Sequence, residues 1–162
     1  DHEIERLLRS AKESGEPLAL VMADVDHFKK FNDKWGHQTG DHVLRLVADV
    51  MNANVKGQDL LARYGGEEFA IILPGTSLTN AVMLANRIRT AVESRRLKKR
   101  RTDEDLGLIT LSMGAAILKW DDTTESFIER ADKCLYAAKK AGRNQVIDEE
   151  GDLGPAGEGA AA

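Results

Sequence analysis

The stretch Arg63-Tyr64-Gly65-Gly66-Glu67-Glu68-Phe69 separates two apolar segments, residues 59–62 and 69–73. This pattern predicts a β-hairpin with a two-residue turn, in which glycine supplies the positive φ that a tight turn requires. The two carboxylates after the turn repel each other, so a purely structural hairpin has no use for them. They suit a site that holds divalent cations against a nucleotide phosphate, and bare glycines let a triphosphate approach the backbone closely.

Apolar periodicity on both sides of this stretch predicts the other elements. A continuous apolar run at 18–23 is typical of a central strand buried on both faces, and Asp24 and Asp26 follow at its carboxyl end. We predict helices at 3–14, 41–51, 77–97 and from a capping box at 122–125 to Gly142, the hairpin at 58–73, and strands at 108–118 and 144–147. Helices that cover a mixed sheet make an α/β sandwich the predicted fold class.

The bulk composition limits the class of protein. The chain has 162 residues and a formal net charge of −4, which predicts one globular domain and argues against nucleic acid as a partner. No apolar run approaches the roughly 20 residues of a membrane span, so we expect no direct membrane insertion of this domain. The single Cys134 suits a reducing cytosol, and we expect a cytoplasmic location. We place the domain at residues 1–148 and a disordered tail at 149–162.

Further motifs accompany the hairpin in a fixed order. They are Asp24-Val25-Asp26, residues 27–33, Gly36-His37, Gly40-Asp41, Ala131-Asp132, residues 135–139 and Gly142-Arg143-Asn144. Together they resemble the pattern of the GGDEF family, the diguanylate cyclases, here in its Gly-Gly-Glu-Glu-Phe form. The resemblance covers roughly residues 17–148. It implies a fold similar to the palm of nucleotidyl cyclases and polymerases.

The carboxylates are the candidate catalytic and metal-binding residues. Asp24 and Glu67 offer hard oxygen ligands that could converge on Mg²⁺ or Mn²⁺, and the resemblance implies two such ions per GTP. Glu68 is either a further ligand or the group that activates the attacking hydroxyl, and the resemblance leaves both roles open. By resemblance alone, Val25 contributes a backbone carbonyl to a metal. Asp26 should point to the opposite face of the strand from Asp24, which favours a structural role.

The resemblance also implies which residues bind the nucleotide. Lys29, Lys139 and Arg143 match positions that contact the triphosphate, together with the backbone around Phe28. Asn32 and Asp41 match positions that bind guanine. A carboxylate can accept hydrogen bonds from the ring N1–H and the exocyclic amine of guanine, a donor pair that adenine lacks on that edge. Asp41 could equally stabilise the start of a helix through the dipole, and both roles can hold at once.

Two departures from the family pattern concern regulation. The inhibitory product site of many members is an Arg-x-x-Asp motif, and here Lys56 replaces the arginine while Asp59 is kept. Because lysine lacks the planar fork of arginine, we predict weak or absent product inhibition. Arg87 matches a second arginine of that site.

The second departure is at the amino end. The family usually opens with an Asp-x-Leu-Thr turn, and residues 1–3 of this sequence correspond to positions after that turn. We therefore expect a domain trimmed at its amino end.

The resemblance implies an enzyme that condenses two GTP into cyclic di-GMP and releases two pyrophosphates. The 3′-hydroxyl of each GTP would attack the α-phosphate of the other across an antiparallel homodimer, under the control of an upstream sensory domain. The alternative is a non-catalytic module that binds GTP or cyclic di-GMP and regulates a partner. Retention of Asp24, Glu67 and Glu68 favours the enzyme. A template-directed nucleotidyl transferase is disfavoured because the sequence offers no basic groove.

Overall fold

The protein is described here from a computed structural model covering residues 2–98 and 105–150. Its elements in chain order are α1 (His2–Ser14), β1 (Leu18–Val25), α2 (Phe28–Trp35), α3 (His37–Asn54), β2 (Leu60–Gly65), β3 (Glu68–Pro74), α4 (Leu78–Glu93), β4 (Arg96–Lys98), β5 (Asp105–Leu108), β6 (Leu111–Ile117), α5 (Thr124–Lys140) and β7 (Gln145–Asp148). Within these ranges, no helix is both long and apolar enough to cross a membrane.

The main sheet has five strands in the order β2-β3-β1-β6-β7. β6 and β7 run parallel and the other neighbours run antiparallel, so the sheet is mixed as predicted. β1 lies at its centre and is buried along its whole length. Leu18, Leu20 and Met22 face the layer formed by α1 and α5, while Ala19 and Val21 face α3 and α4. Helices on both faces confirm the predicted α/β sandwich.

A close approach between helix and sheet fixes the position of α5. A Cβ atom on Gly114 of β6 would lie 2.2 Å from the backbone nitrogen of Leu135 and 2.4 Å from the carbonyl oxygen of Ala131. Only glycine allows this contact without moving the backbone. As a result, the last turn of α5 lies beside the carboxyl end of β1.

The hairpin glycines do not play the predicted role. Gly65 ends β2 opposite Glu68, and the turn consists of Gly66 and Glu67. Neither glycine has a positive φ, so that part of the prediction was wrong. The register shifts between Arg63 and Gly65, which leaves Tyr64 as an extra residue on β2. Such a bulge bends the strand into the turn without a left-handed residue.

Several predicted boundaries also need correction. The helix predicted at 77–97 ends at Glu93, and the strand predicted at 108–118 is divided into β5 and β6. The physical reason is that β4 and β5 pair with each other in a separate two-stranded sheet, whereas β6 pairs with β1. The sequence prediction missed α2 and began α3 four residues too late. The capping box of α5 joins Thr123 to Ser126, not the predicted pair of acids.

The predicted tail begins too early. The carboxylate of Glu149 accepts hydrogen bonds from the backbone N–H of Ile117, at 3.1 Å, and from the guanidinium of Arg130. These contacts hold residue 149 against β6 and α5, so the folded part extends beyond 148. The rest of the predicted tail, residues 151–162, lies outside the described residues.

Candidate active site

A cleft of about 180 Å³ opens where β1 ends and α2 begins. Its lining consists of Asp24, Val25, Asp26, His27, Phe28, Lys29, Glu67, Lys139 and Arg143. All the residues proposed for catalysis, metal binding or phosphate binding are therefore in the lining, with Glu68 as the one exception. A larger cleft of about 630 Å³ lies between α1 and the start of α5, and none of these residues lines it.

Asp24 is one of two buried carboxylates that line the cleft, and Asp26 is the other. Asp24 is 5% exposed, and its Oδ2 accepts a hydrogen bond from Nζ of Lys139. Its Oδ1 is buried and has no hydrogen-bond partner among the described residues. Leaving a buried carboxylate oxygen unpaired is unfavourable. A hard divalent cation would satisfy it, so this orphaned oxygen fits the proposed metal role.

The turn of the hairpin brings Glu67 to the same cleft. The carbonyl oxygen of Glu67 accepts a hydrogen bond from the Val25 N–H at 3.3 Å, which ties the turn to the end of β1. Arg63 donates from Nε and Nη2 to the carbonyl oxygen of Gly66, at 3.1 and 2.8 Å. The sequence prediction gave Arg63 no role. The signal available in the sequence was the position of Arg63, three residues before Gly66 of the predicted turn.

Glu68 lies on β3 directly opposite Asp24. Burial raises the pKa of Glu68, and the negative charges of Asp24 and Asp132 raise it further against the opposing effect of Lys139. Burial also raises the pKa of Asp132, again opposed by Lys139. The sequence prediction assigned no role to Asp132, although it lies seven residues before Lys139 and hence on the same face of α5.

Among the described residues, no group of three or more His, Cys, Asp or Glu side chains is arranged to hold a metal ion. A Mg²⁺ site at a nucleotide usually combines one or two carboxylates with substrate phosphates and water. The donors present, namely the carboxylates of Asp24 and Glu67, therefore fit a site that a nucleotide completes.

Three cations lie around the cleft. Lys29 is in the first turn of α2, where backbone N–H groups and the helix dipole favour an anion. Lys139 comes from the last turn of α5. Arg143 follows that helix with a φ of 66°, and its Nη1 donates to the Lys139 carbonyl oxygen at 3.2 Å. Together they place positive charge beside the carboxylates.

The residues proposed to bind guanine lie outside the cleft lining. Asn32 on α2 packs so closely against Gly40 that a Cβ there would lie 1.7 Å from its Oδ1. That Oδ1 is buried and has no hydrogen-bond partner among the residues described. Asp41 is exposed in the second turn of α3, which begins at His37. The alternative role of Asp41 at a helix start is therefore wrong, because the helix begins earlier.

Asp26 has a structural environment. Its Oδ1 accepts from the Ser112 hydroxyl at 2.6 Å, and its Oδ2 accepts from the Thr110 hydroxyl at 2.7 Å and the Asn144 N–H at 3.0 Å. With its oxygens engaged by the protein, Asp26 lines the cleft but holds neighbouring chain segments, in agreement with the structural role expected from the sequence.

Of the residues matched to an inhibitory product site, Lys56 and Asp59 lie in the loop between α3 and β2, and Arg87 lies on α4. Asp59 accepts a hydrogen bond from the Lys56 N–H at 3.1 Å, so its carboxylate closes a local turn. Arg87 is exposed on α4. Within the described part of the chain, no ion pair joins Arg87 to Asp59.

The sequence also matches a protein-family model, described as "Diguanylate cyclase, GGDEF domain", over residues 1–145. The chain belongs to the GGDEF family. This membership confirms the resemblance drawn from the motifs, and it covers nearly all of the part that the structure describes.

Curated relatives of this GGDEF domain include the diguanylate cyclase DosC of Escherichia coli strain K12. It is 43% identical over 141 residues, which cover 87% of this chain and 30% of DosC. The response regulator PleD of Caulobacter vibrioides strain NA1000 / CB15N is 40% identical over 146 residues, covering 90% of this chain and 32% of PleD. This GGDEF domain thus spans about a third of the length of these relatives.

Solved structures share the fold of this GGDEF domain. The GGDEF domain of DgcB from Caulobacter crescentus, in complex with c-di-GMP, matches with a TM-score of 0.91 and 47% identity over 93% of this chain and 88% of that chain. The active GGEEF domain of a diguanylate cyclase from Vibrio cholerae matches with a TM-score of 0.83 and 31% identity, covering 91% and 92% of the two chains.

Proposed function

We propose that the chain is the catalytic domain of a diguanylate cyclase, which condenses two GTP into cyclic di-GMP and two pyrophosphates. The observation that carries this proposal is the buried Oδ1 of Asp24, unpaired among the described residues, in a cleft that also holds Glu67 and three cations. The relatives named diguanylate cyclase support it, as does the similar DgcB domain in complex with c-di-GMP.

Asp24, Glu67 and the backbone carbonyl of Val25 would hold Mg²⁺ or Mn²⁺, two ions for each GTP. When bound, such ions lower the pKa of the attacking hydroxyl and neutralise the triphosphate. The chain itself supplies positive charge to the phosphates through Lys29, Lys139 and the N–H groups at the start of α2. For Lys139 this means exchanging its contact with Asp24 for a phosphate oxygen.

Guanine would be bound by Asn32 and Asp41. The buried Oδ1 of Asn32 offers an acceptor that no described protein group occupies, which suits a donor on the base. Asp41 is exposed and begins the second turn of α3, on the same helix as Gly40, against which Asn32 packs. A carboxylate there would select guanine over adenine by accepting from its N1–H and amine.

Each domain would bind one GTP, so catalysis requires an antiparallel homodimer. The bond formed joins the 3′-oxygen of one GTP to the α-phosphorus of the other, and the bond broken is the one to pyrophosphate. Glu68 is our candidate for accepting the hydroxyl proton, because a carboxylate with a raised pKa is a better base near neutral pH. Positioning of the two nucleotides would supply much of the rate.

We propose that this activity is controlled through the association of two domains. We propose a cytoplasmic output domain that an upstream sensory domain brings into dimers. We also propose that product inhibition is weak, because Lys56 cannot pair bidentately with the product as arginine would. We propose a domain over residues 1–148, as predicted from the sequence, extended to include Glu149 because its carboxylate contacts Ile117 and Arg130.

The test is incubation of the purified chain with GTP and Mg²⁺ or Mn²⁺, with the products separated by chromatography. We expect cyclic di-GMP and pyrophosphate in a 1:2 ratio, formed faster than linearly with protein concentration. Glu68→Gln should abolish product formation while GTP binding persists, and Glu129→Gln, an exposed glutamate on α5, should change neither. GTP binding without turnover in a forced dimer would instead support the regulatory module.

A further inference from the structure

The segment after α5 has an unusual backbone. Gly142, Arg143 and Asn144 are three consecutive residues with positive φ, at 120°, 66° and 49°. The first follows from the helix end, where the Arg143 N–H donates to the Ala138 carbonyl oxygen at 2.9 Å around a glycine. The other two are strained, because a side chain disfavours the left-handed region. Such strain persists only where the surroundings fix it.

Asn144 is held at three points. Its backbone N–H donates to Oδ2 of Asp26 at 3.0 Å. Its side-chain Oδ1 accepts from Nη1 of Arg89 at 3.0 Å, and its Nδ2 donates to Oε2 of Glu93 at 2.9 Å. Because arginine can only donate and an ionised glutamate can only accept, the amide is fixed in one orientation.

The two residues that hold the amide belong to one turn of α4. Arg89 and Glu93 are four residues apart, and their charged groups lie 3.5 Å from each other. The side chain of Arg89 is 19% exposed and is further fixed by a hydrogen bond from Nε to Oδ1 of Asn86 at 3.1 Å. We call Arg89 and Glu93 the α4 clamp. Neither residue lines the cleft, and the sequence motifs assign them no role.

We propose that the α4 clamp positions Arg143 for the phosphates of the nucleotide. The clamp holds the side-chain amide of Asn144 while Asp26 holds its backbone N–H, and together they set the direction from which the preceding Arg143 enters the cleft. The members of the clamp are positioning residues, since they act through Asn144 and not on the ligand. The inference rests on the proposed function for the identity of the ligand.

The geometry distinguishes this role from simple attachment of α4 to β7. Attachment alone would need only one hydrogen bond between the elements. The clamp instead binds both the oxygen and the nitrogen of the side-chain amide of the strained Asn144. If the clamp positions Arg143, weakening it should reduce affinity for phosphate groups and leave the recognition of the nucleoside unchanged. If the contacts only stabilised the fold, weakening them would lower the fraction of folded protein. Binding of the phosphate groups and of the nucleoside would then fall together.

The experiment measures binding by calorimetry with three probes, namely GTP, pyrophosphate and guanosine, each in the presence of Mg²⁺. For Arg89→Met we expect the affinity for GTP and pyrophosphate to fall about five- to tenfold. The fall is partial because Arg143 is still present and only its charge-assisted contact with the phosphates is weakened. Guanosine affinity should not change. Arg89→Lys should restore part of the loss, because its ammonium can still donate to Asn144. Arg45→Met, an exposed arginine on α3, is the matched control.

Hydrogen exchange of the Arg143 and Asn144 amides provides a readout without any nucleotide. We expect faster exchange at these two amides in Arg89→Met, with the core strands unchanged. Equal affinity of the variant and the unmodified chain for pyrophosphate would overturn the inference, as would equal loss for pyrophosphate and guanosine. If Arg89→Met fails to fold, Asn144→Gly provides the same test, since glycine accepts the positive φ but loses the amide.

Failure of the proposed function gives a different result. In that case the unmodified chain binds neither GTP nor pyrophosphate, whatever the variants do. The exchange of the two amides would still show whether the clamp fixes the backbone, and unchanged exchange in Arg89→Met would overturn the clamp itself.

Discussion

The ammonium of Lys139 donates a hydrogen bond to Oδ2 of Asp24 and thereby joins the last turn of α5 to the end of β1. The Asp24 side chain is 6% exposed and that of Lys139 is 31% exposed. Removing the lysine would leave a buried carboxylate without its counter-charge, which is strongly unfavourable in a dry interior and less so at a partly open cleft.

We therefore expect Lys139→Met to lower the free energy of unfolding by about 1–2 kcal/mol in metal-free buffer. Urea denaturation measures this, with Lys133→Met, an exposed position on the same helix, as control. Mn²⁺ without nucleotide should restore part of the loss in Lys139→Met, because the metal can replace the ammonium at Asp24. An unchanged urea midpoint in Lys139→Met would show that the ion pair does not stabilise the fold.

The raised pKa of Glu68 predicts a pH-dependent gain in stability on its removal. Its pKa is higher in the folded protein than in the unfolded chain, so ionisation of Glu68 destabilises the fold as the pH rises through the folded pKa. Glu68→Gln should raise the melting temperature of the metal-free protein above that pKa. The gain should vanish below a pH of about 4, where the group is protonated in both states.

Thermal melts of Glu68→Gln and the unmodified chain across that pH range provide the measurement. Glu129→Gln should show no such difference, because Glu129 is exposed. A gain of Glu68→Gln that stayed constant with pH would mean that the substitution acts through packing and not through charge.

Gly114 should tolerate no side chain. A Cβ atom there would lie within 2.4 Å of two backbone atoms of α5, so the helix would have to move away from the sheet. We expect Gly114→Ala to destabilise the fold by about 2–3 kcal/mol, as overpacking of a close contact usually does. Chemical denaturation tests this. A loss below about 0.5 kcal/mol would mean that α5 can shift without penalty.

Gly66, unlike Gly114, should tolerate a side chain without loss of stability. A Cβ atom at this position meets no protein atom within 4 Å, and its φ lies outside the left-handed region. Gly66→Ala should therefore leave stability unchanged or raise it by about 0.4–1 kcal/mol. If the glycine serves the approach of a triphosphate, turnover of GTP should fall at least about tenfold, because small misplacement of a reacting group is costly. Full activity of Gly66→Ala would remove that explanation for the glycine.

Lys56 provides a test of the altered inhibitory motif. Lys56→Arg restores the fork that can pair bidentately, and we expect inhibition by cyclic di-GMP to strengthen about tenfold. Initial rates at increasing product concentration measure the effect, and Lys119→Arg, at another exposed lysine, is the control. Equal inhibition of Lys56→Arg and the unmodified enzyme would show that the side chain at 56 does not limit product binding.

The sequence singled out residues that the structure brings together in one cleft, whereas it misplaced several of the elements around them. Asp24 and Glu67 were singled out as carboxylates at the end of a strand and beside a predicted turn, and Arg143 because it matches the family pattern; all three line one cleft. The fold class followed from the continuous apolar run of β1 and from the helical periodicity around it. These signals depend only on near neighbours along the chain.

The features that the sequence did not reveal depend on distant partners. The contact of Arg89 with Asn144 joins residues 55 apart, and that of Asp26 with Asn144 joins residues 118 apart. No local pattern predicts which arginine of an amphipathic helix will meet such a partner. The division of the strand predicted at 108–118 has the same origin, since β5 pairs with β4 and β6 with β1.

Helix α5 has two roles in this molecule. Its Phe127, Ala131 and Leu135 fill the core on one face of the sheet, and its last turn carries Lys139 into the cleft. Such a helix cannot melt locally without exposing the core. Loss of GTP binding to each domain and global unfolding should therefore follow one and the same denaturation curve, and a GTP-binding assay would report the fraction of folded molecules.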